Sequence, residues 1–277
     1  FMLVFDVKDG NPNGDPDAGN MPRIDPETAN GIVTDVCIKR KIRNYVQAVH
    51  GDKRGYDIFV TEGAVLNQKQ EAAYKDNGLE KDDREKARNF MCQRYFDVRT
   101  FGAVMDTGDY KCGQVRGPVQ LCFGRSVDTV LQQEITITRM AVTKENEKDK
   151  DDATKNRTMG RKYVIPYALY RMEGFVSPAF AKKTGFGEGE YENDLAILWE
   201  ALLNMFELDH SAARGRMATR KLFVFEHQSE LGNAPSYVLF DLVSAKAANP
   251  DVPARRFEDY VITVASAPDG VTLIEKR

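Results

Sequence analysis

The sequence predicts an α+β protein built on one sizeable core with large insertions. Three observations carry this: a short apolar strand leading through a polar loop into a basic amphipathic helix, a downstream series of runs rich in β-branched and aromatic residues, and one strongly amphipathic helix among those runs. The order strand, helix, strands, helix, strand is compatible with a ferredoxin-like sheet backed by two helices. At 277 residues the chain is long enough to bury such a core.

The first strand is Met2-Leu3-Val4-Phe5, ending at Asp6 and Val7. The run DGNPNGDPDAGNMPR follows, Asp9 to Arg23. Its Gly, Asn, Asp and Pro residues favour turns and positive φ, so it forms a loop that presents polar backbone. A helix is expected from Thr34 to Val49, with Thr34 as N-cap. Ile38, Ile42, Tyr45, Val46 and Val49 recur at helical spacing on its buried face. Lys39, Arg40, Lys41 and Arg43 crowd into one and a half turns, and Lys39, Arg40 and Arg43 lie off the apolar stripe, where long side chains reach outward. Strand, loop and helix together make one unit suited to an extended polyanion.

From His50 to Arg116 the pattern changes. Gln68 to Gln93 is charged and helix-favouring, with little apolar patterning before Phe90 and Met91, which predicts an inserted, largely helical subdomain whose charges form a solvated face. Strands are expected at Val119 to Phe123, Ile135 to Val142, Tyr163 to Phe175, Leu222 to Phe225, Tyr237 to Val243 and Tyr260 to Ala265. Asp194 to Phe206 is the amphipathic helix, and its stripe of Leu195, Leu198, Trp199, Leu202, Leu203 and Phe206 reads as core. Thr143 to Lys162 separates two strands and is almost wholly polar; its second part holds Lys155, Arg157, Arg161 and Lys162 around Met159-Gly160 with no acid. A hairpin tip of that composition reads as a finger that touches a polyanion.

A formal net charge of −3 rules out a uniformly basic nucleic-acid binder, though not one with its cations gathered on one face. No apolar run approaches the ~20 residues of a bilayer span. The chain begins at Phe1 inside an apparent strand, so the natural start is expected upstream. Cys37, Cys92, Cys112 and Cys122 form no CxxC pair and read as reduced thiols in a cytoplasmic protein. His50, His210 and His227 are isolated, and phosphate-loop, nucleophile-elbow and dinucleotide motifs are absent from the sequence. GFGEGE at Gly185 to Glu190 is acidic and would repel phosphate. Asp9, Asn11, Asn13, Gly14 and Asp17 match part of a calcium loop, but Asn20 stands where the bidentate glutamate belongs and Pro12 and Pro16 stiffen the turn. Asp15 and Asp17 admit a second reading, a divalent-ion site for RNA cleavage, weighed against their ordinary role as turn formers and caps. The sequence contains no RNP1-type aromatic run, so RNA is not expected to stack across an open sheet.

FDVKDGNPNGDPDAGNMPRIDPETANGIVTDVCIKRKIRNY, Phe5 to Tyr45, resembles the amino-terminal signature of the backbone subunit of type I-C Cascade complexes, the "Cas seven" family of CRISPR systems. ITITRMAVT at Ile135 to Thr143 and NRTMGRKYVIPYALYRMEGF at Asn156 to Phe175 fit the same family, so the resemblance covers most of the chain. It implies an RRM-like palm (residues 1–49, 119–142 and 163–277) with inserted helical fingers (50–118) and a β-hairpin thumb (143–162). It also implies a non-catalytic protein without cofactor that polymerises head to tail along CRISPR RNA. The implied partners are the guide, the target DNA strand paired to it, neighbouring copies, the guide-processing and large subunits and a recruited helicase-nuclease. Type III relatives cleave RNA with a palm-loop aspartate, which keeps the Asp15/Asp17 endoribonuclease as the alternative.

Charge placement and the motif together make Arg23, Lys39, Arg40 and Arg43 the expected palm contacts to phosphate. Resemblance and local composition add Arg139, Arg157, Met159 and Arg161 at the thumb and its base, with Met159 as a wedge between bases. Arg99 and Arg116, flanking the RTFG segment and preceding a strand, complete the candidates.

Overall fold

Alternate side chains of the first strand face two different cores. β1 (Met2–Gly10) is buried through Val7. Its Leu3, Phe5 and Val7 enter one apolar cluster, and Met2 and Val4 enter another on the opposite face of the sheet. Strict period-two alternation is replaced here by a continuous apolar run because both faces are covered.

A computed structural model describes residues 1–142 and 157–277. After β1 come β2 (Gly14–Asp15), β3 (Met21–Pro22), β4 (Asn30–Val33) and helix α1 (Asp35–His50). Helices α2 (Leu66–Lys75), α3 (Arg84–Arg94) and α4 (Phe96–Phe101) precede the hairpin of β5 (Gly102–Met105) and β6 (Gly113–Arg116). β7 (Val119–Leu121), β8 (Gly124–Thr129), β9 (Gln133–Arg139) and the 19-residue β10 (Thr158–Val176) follow. The rest is α5 (Pro178–Thr184), α6 (Asp194–Asn204), β11 (Arg216–His227), α7 (Ser236–Asp241), β12 (Val243–Ala247), β13 (Tyr260–Val264) and β14 (Val271–Glu275).

The central sheet runs β14-β11-β1-β10-β8-β4, all antiparallel, and β7 and β9 also pair with β10. Ile38, Ile42 and Val46 of α1 and Leu198, Ala201 and Leu202 of α6 pack on the Leu3/Phe5 face. Thr34 caps α1, its side chain accepting from Cys37 N as expected. The other face is covered by Leu239 and Phe240 of α7 and by the β12–β13 hairpin. A third cluster gathers Phe59, Ala73, Tyr74, Ala87, Met91, Cys92, Tyr95 and Val98, so α2 and α3 bury one side and only their outer charges are solvated.

One expected strand is corrected. Tyr237 to Val243 is mostly the helix α7, and the strand begins only at Val243. YVLF has no alternation to distinguish strand from helix, and Pro235 supplies a φ of −61° at its N-cap. The strand expected at Ile135 to Val142 spans Gln133–Arg139, and that at Leu222 to Phe225 lengthens to Arg216–His227. β4, β8, β14 and the β5–β6 hairpin were not foreseen; they are short and carry glycine or charge. Residues 143–156 of the expected thumb, with Lys155, lie outside the described residues.

Candidate functional site

Close backbone approaches fix the polar loop. A Cβ on Gly10 would stand 1.8 Å from the Arg214 carbonyl oxygen, so only glycine lets the two chains meet there. Asn11 N donates to the Ala213 carbonyl at 2.8 Å, and its amide donates to the Asn20 carbonyl at 2.7 Å. Asn13 Oδ1 accepts from both the backbone N–H and the hydroxyl of Thr34, at 2.9 and 2.8 Å, which ties the loop to the start of α1. Asp15 Oδ1 accepts from Asp17 N at 3.2 Å and lies 3.5 Å from Arg23, so this carboxylate shapes a turn. Among the described residues no group of three or more His, Cys, Asp or Glu side chains converges to hold a metal ion.

Arg23 sits at the end of this loop. Its side chain is about one-third exposed, its backbone N–H donates to the Asn13 carbonyl, and its Nε is buried without a partner. Lys41, Arg214 and Arg23 all surround Cys37, whose thiol is pushed up by burial against their pull. Lys41 is itself buried and pairs with Asp209, which also holds Arg214 at 2.6 Å; burial pushes the Lys41 ammonium down.

The remaining cations of α1 turn inward. Lys39 pairs with Asp35 at 2.9 Å and lies over the Phe101 ring. Arg40 donates to the Val60 carbonyl at 2.8 Å. Arg43 donates at 2.8 Å to Asp97, a fully buried carboxylate that also accepts from Phe59 N and Val60 N. The outward reach expected of these three is thus corrected: the face beside the apolar stripe is covered by the segment around residues 57–60 and by α4. Arg99 is a firmer correction. It is wholly buried and ion-paired with Asp194, so no phosphate reaches it without opening the core. Arg116 is exposed, its guanidinium 5.4 Å from the centre of the Phe180 ring.

The β9–β10 ribbon projects beside the loop, its base held where the Gln132 amide donates to the Pro22 carbonyl. Arg157 and Met159 are exposed, Met159 to 75%. Arg161 pairs with Glu134 at 3.1 Å, and Arg139 donates to the Ala141 carbonyl and the Thr158 hydroxyl.

Sheet register adds residues that motif reading missed. Lys8 lies opposite Arg216 on one side and Tyr167 on the other. Lys8 and Arg216 are exposed, and with Arg214 and Arg23 they frame the loop with positive charge. Residues 210–221, HSAARGRMATRK, contain no acid, which was the available signal. Beneath them Asp6 is buried, accepting from Tyr167 Oη and Arg220 Nε, both at 2.9 Å. Burial pushes its carboxyl up against the pull of Arg220.

The family model described as "CRISPR-associated protein Cas7" matches residues 1–265. The CRISPR-associated protein Cas7 of Haloferax volcanii is 26% identical over an alignment of 231 positions that covers 74% of this chain and 64% of that protein. The chain therefore spans less than two thirds of that relative's length. Among solved structures, a chain of a CRISPR RNA-guided surveillance complex aligns with a TM-score of 0.49 and 13% identity, covering 85% of this chain and 71% of its own. A second such complex, described as pre-nicking, aligns with a TM-score of 0.46 and 12% identity over 85% and 80% of the two chains.

Proposed function

Because the chain belongs to the CRISPR-associated Cas7 family, we propose that it is a non-catalytic backbone subunit that binds CRISPR RNA in a Cascade complex of type I-C. Copies pack head to tail along the guide and leave its base edges free to pair with target DNA. The observation that carries this reading is the frame of Lys8, Arg23, Arg214 and Arg216 around a rigid polar loop, beside a projecting ribbon that bears Met159 and Arg161. These side chains meet phosphate and wedge apart bases, which is recognition by backbone contact. The guide-processing and large subunits and the helicase-nuclease are further partners, in the cytoplasm.

The strand order β11-β1-β10-β8, with α1 and α6 on one face, supports an RRM-like palm. Residues 50–118 act as fingers and 143–162 as thumb. The opposite face lies under α7 and the β12–β13 hairpin, which favours RNA held at the loop and ribbon over bases stacked on the sheet. Among the described residues no helix is long and apolar enough to cross a membrane.

The test is a long end-labelled single-stranded RNA incubated with the protein in magnesium or in EDTA. A ladder of regularly spaced shifted species with intact RNA in both buffers is expected. Magnesium-dependent shortening, lost in Asp15→Ala or Asp17→Ala, would replace the scaffold with an endoribonuclease. RNA that does not shift at all would sink both.

A further inference from the structure

The stretch that meets the polar loop from β11 is held by its backbone first. Asp209 ends the turn after α6, its N–H donating to the Phe206 carbonyl. Residues 209–215 run from there to β11 and cross the end of β1 so closely that glycine stands on both sides. A Cβ on Gly215, whose φ is +64°, would lie 2.5 Å from the Lys8 and Asp9 carbonyl oxygens, matching the contact of Gly10 with Arg214. Ser211 Oγ accepts from Arg214 N at 3.2 Å, and the Ala213 carbonyl accepts from Asn11 N. The backbone of Arg214 is therefore fixed, and only its side chain remains to be aimed.

Asp209 meets that side chain. Its Oδ2 lies 2.6 Å from Arg214 Nε and also pairs with Lys41 Nζ. The side chains of Lys41, Asp209 and Arg214 are 1%, 12% and 33% exposed, so the three step outward from α1 to solvent. One carboxylate between two cations leaves a surplus positive charge, and the exposed end carries it. The ion pair engages the guanidinium at Nε; among the described residues Nη1 and Nη2 of Arg214 have no hydrogen-bond or ion-pair partner. Two such nitrogens form the fork that grips a phosphate by parallel bonds. Arg23 and Arg214 both act on the Cys37 thiol, so the fork and the loop's own cation converge on one place.

An acid this close to a polyanion weakens binding by charge alone. We infer that Asp209 has the opposite effect: it is a positioning residue, anchored by Lys41, that aims the Arg214 fork at a phosphodiester of the RNA. This rests on the RNA-binding reading above and assigns the residue that sets its geometry. Charge and placement make predictions of opposite sign, which is what lets the two be separated.

The test is a double-mutant cycle in Lys41→Met protein, so that no variant leaves a buried ammonium unpaired. Asp209→Leu, Arg214→Ala and their combination are compared with the Lys41→Met parent after melting curves confirm folding. Each is titrated with a short single-stranded oligouridylate at several salt concentrations. Asp209→Leu should bind about tenfold more weakly, with the slope of log affinity against log salt reduced by about 0.7, one phosphate contact. Arg214→Ala should lose the same amount, and adding Asp209→Leu to it should weaken binding no further. The isosteric Asp209→Asn in the otherwise native chain should shift affinity in the same direction. Unchanged or tighter binding by Asp209→Leu would overturn the inference and leave Asp209 as a plain repulsive charge. An equal loss with and without Arg214 would also overturn it, making Asp209 a structural residue. Wild type that binds no RNA would overturn the RNA-binding reading itself, an outcome distinct from both.

Discussion

Arg99 and Asp194 form a two-pronged ion pair with no exposure to solvent, Nε to Oδ2 at 2.6 Å and Nη2 to Oδ1 at 3.0 Å. Arg99 also donates to the carbonyls of Cys92 and Gly55, and the Tyr191 ring lies 3.9 Å from its guanidinium. The pair joins α4, which carries Val98 into one apolar cluster and Phe96 and Phe101 into another, to the first turn of α6.

Removing one partner leaves the other charge buried and alone. Asp194→Ala should lower stability by about 3–5 kcal/mol, read by urea unfolding. The RNA affinity of the folded fraction should stay unchanged, because Arg99 touches no solvent.

Salt dependence separates the loop frame from the basic helix. Lys8→Ala, Arg216→Ala and Arg23→Ala should each reduce the slope of log affinity against log salt by about 0.7, one single-strand phosphate contact, equally for unrelated RNA sequences. Arg43→Ala should instead act on stability, since it strips Asp97 of its cation. An undiminished slope in all three loop variants would move the RNA elsewhere.

Asn13→Ala removes the acceptor shared by Thr34 N and Thr34 Oγ1. A loss of about 1–2 kcal/mol in unfolding free energy is expected. Limited proteolysis should show faster cutting between residues 14 and 20 as the loop leaves its anchor.

Burial raises the folded-state pKa of Asp6 above its ordinary 3.8, so folding favours the protonated acid. The stability that Asp6 contributes relative to the uncharged Asp6→Asn variant is complete below pH 3.8 and falls as pH rises through the raised value. Chemical unfolding of both proteins across that window should show wild type losing ground to the variant with rising pH, then a constant difference. A difference that does not vary with pH would place the titration elsewhere.

Local pattern made the first strand, the polar loop, the Thr34-capped helix and the Asp194 helix legible, because each is specified by residues within one or two turns of chain. Alternation also exposed most of the long β10. What stayed hidden depends on contacts distant in sequence. The cations of α1 looked outward on a helical projection, yet Asp97 and the Val60 carbonyl, delivered by another part of the chain, claim Arg43 and Arg40. Arg99 gave no local hint of Asp194, 95 residues away. Lys8 and Arg216 become neighbours only through sheet register.

β10 runs without interruption from the exposed ribbon into the middle of the sheet, between β1 and β8. A tension applied at the ribbon is therefore carried along the strand axis. From Ile165 onward it loads the ladder with β1 in shear, so many hydrogen bonds resist together and none opens first. The ribbon strands themselves, Thr158 to Val164 against β9, peel apart from the tip one pair at a time. The molecule thus has a soft end that yields under a sideways pull and a stiff root that does not.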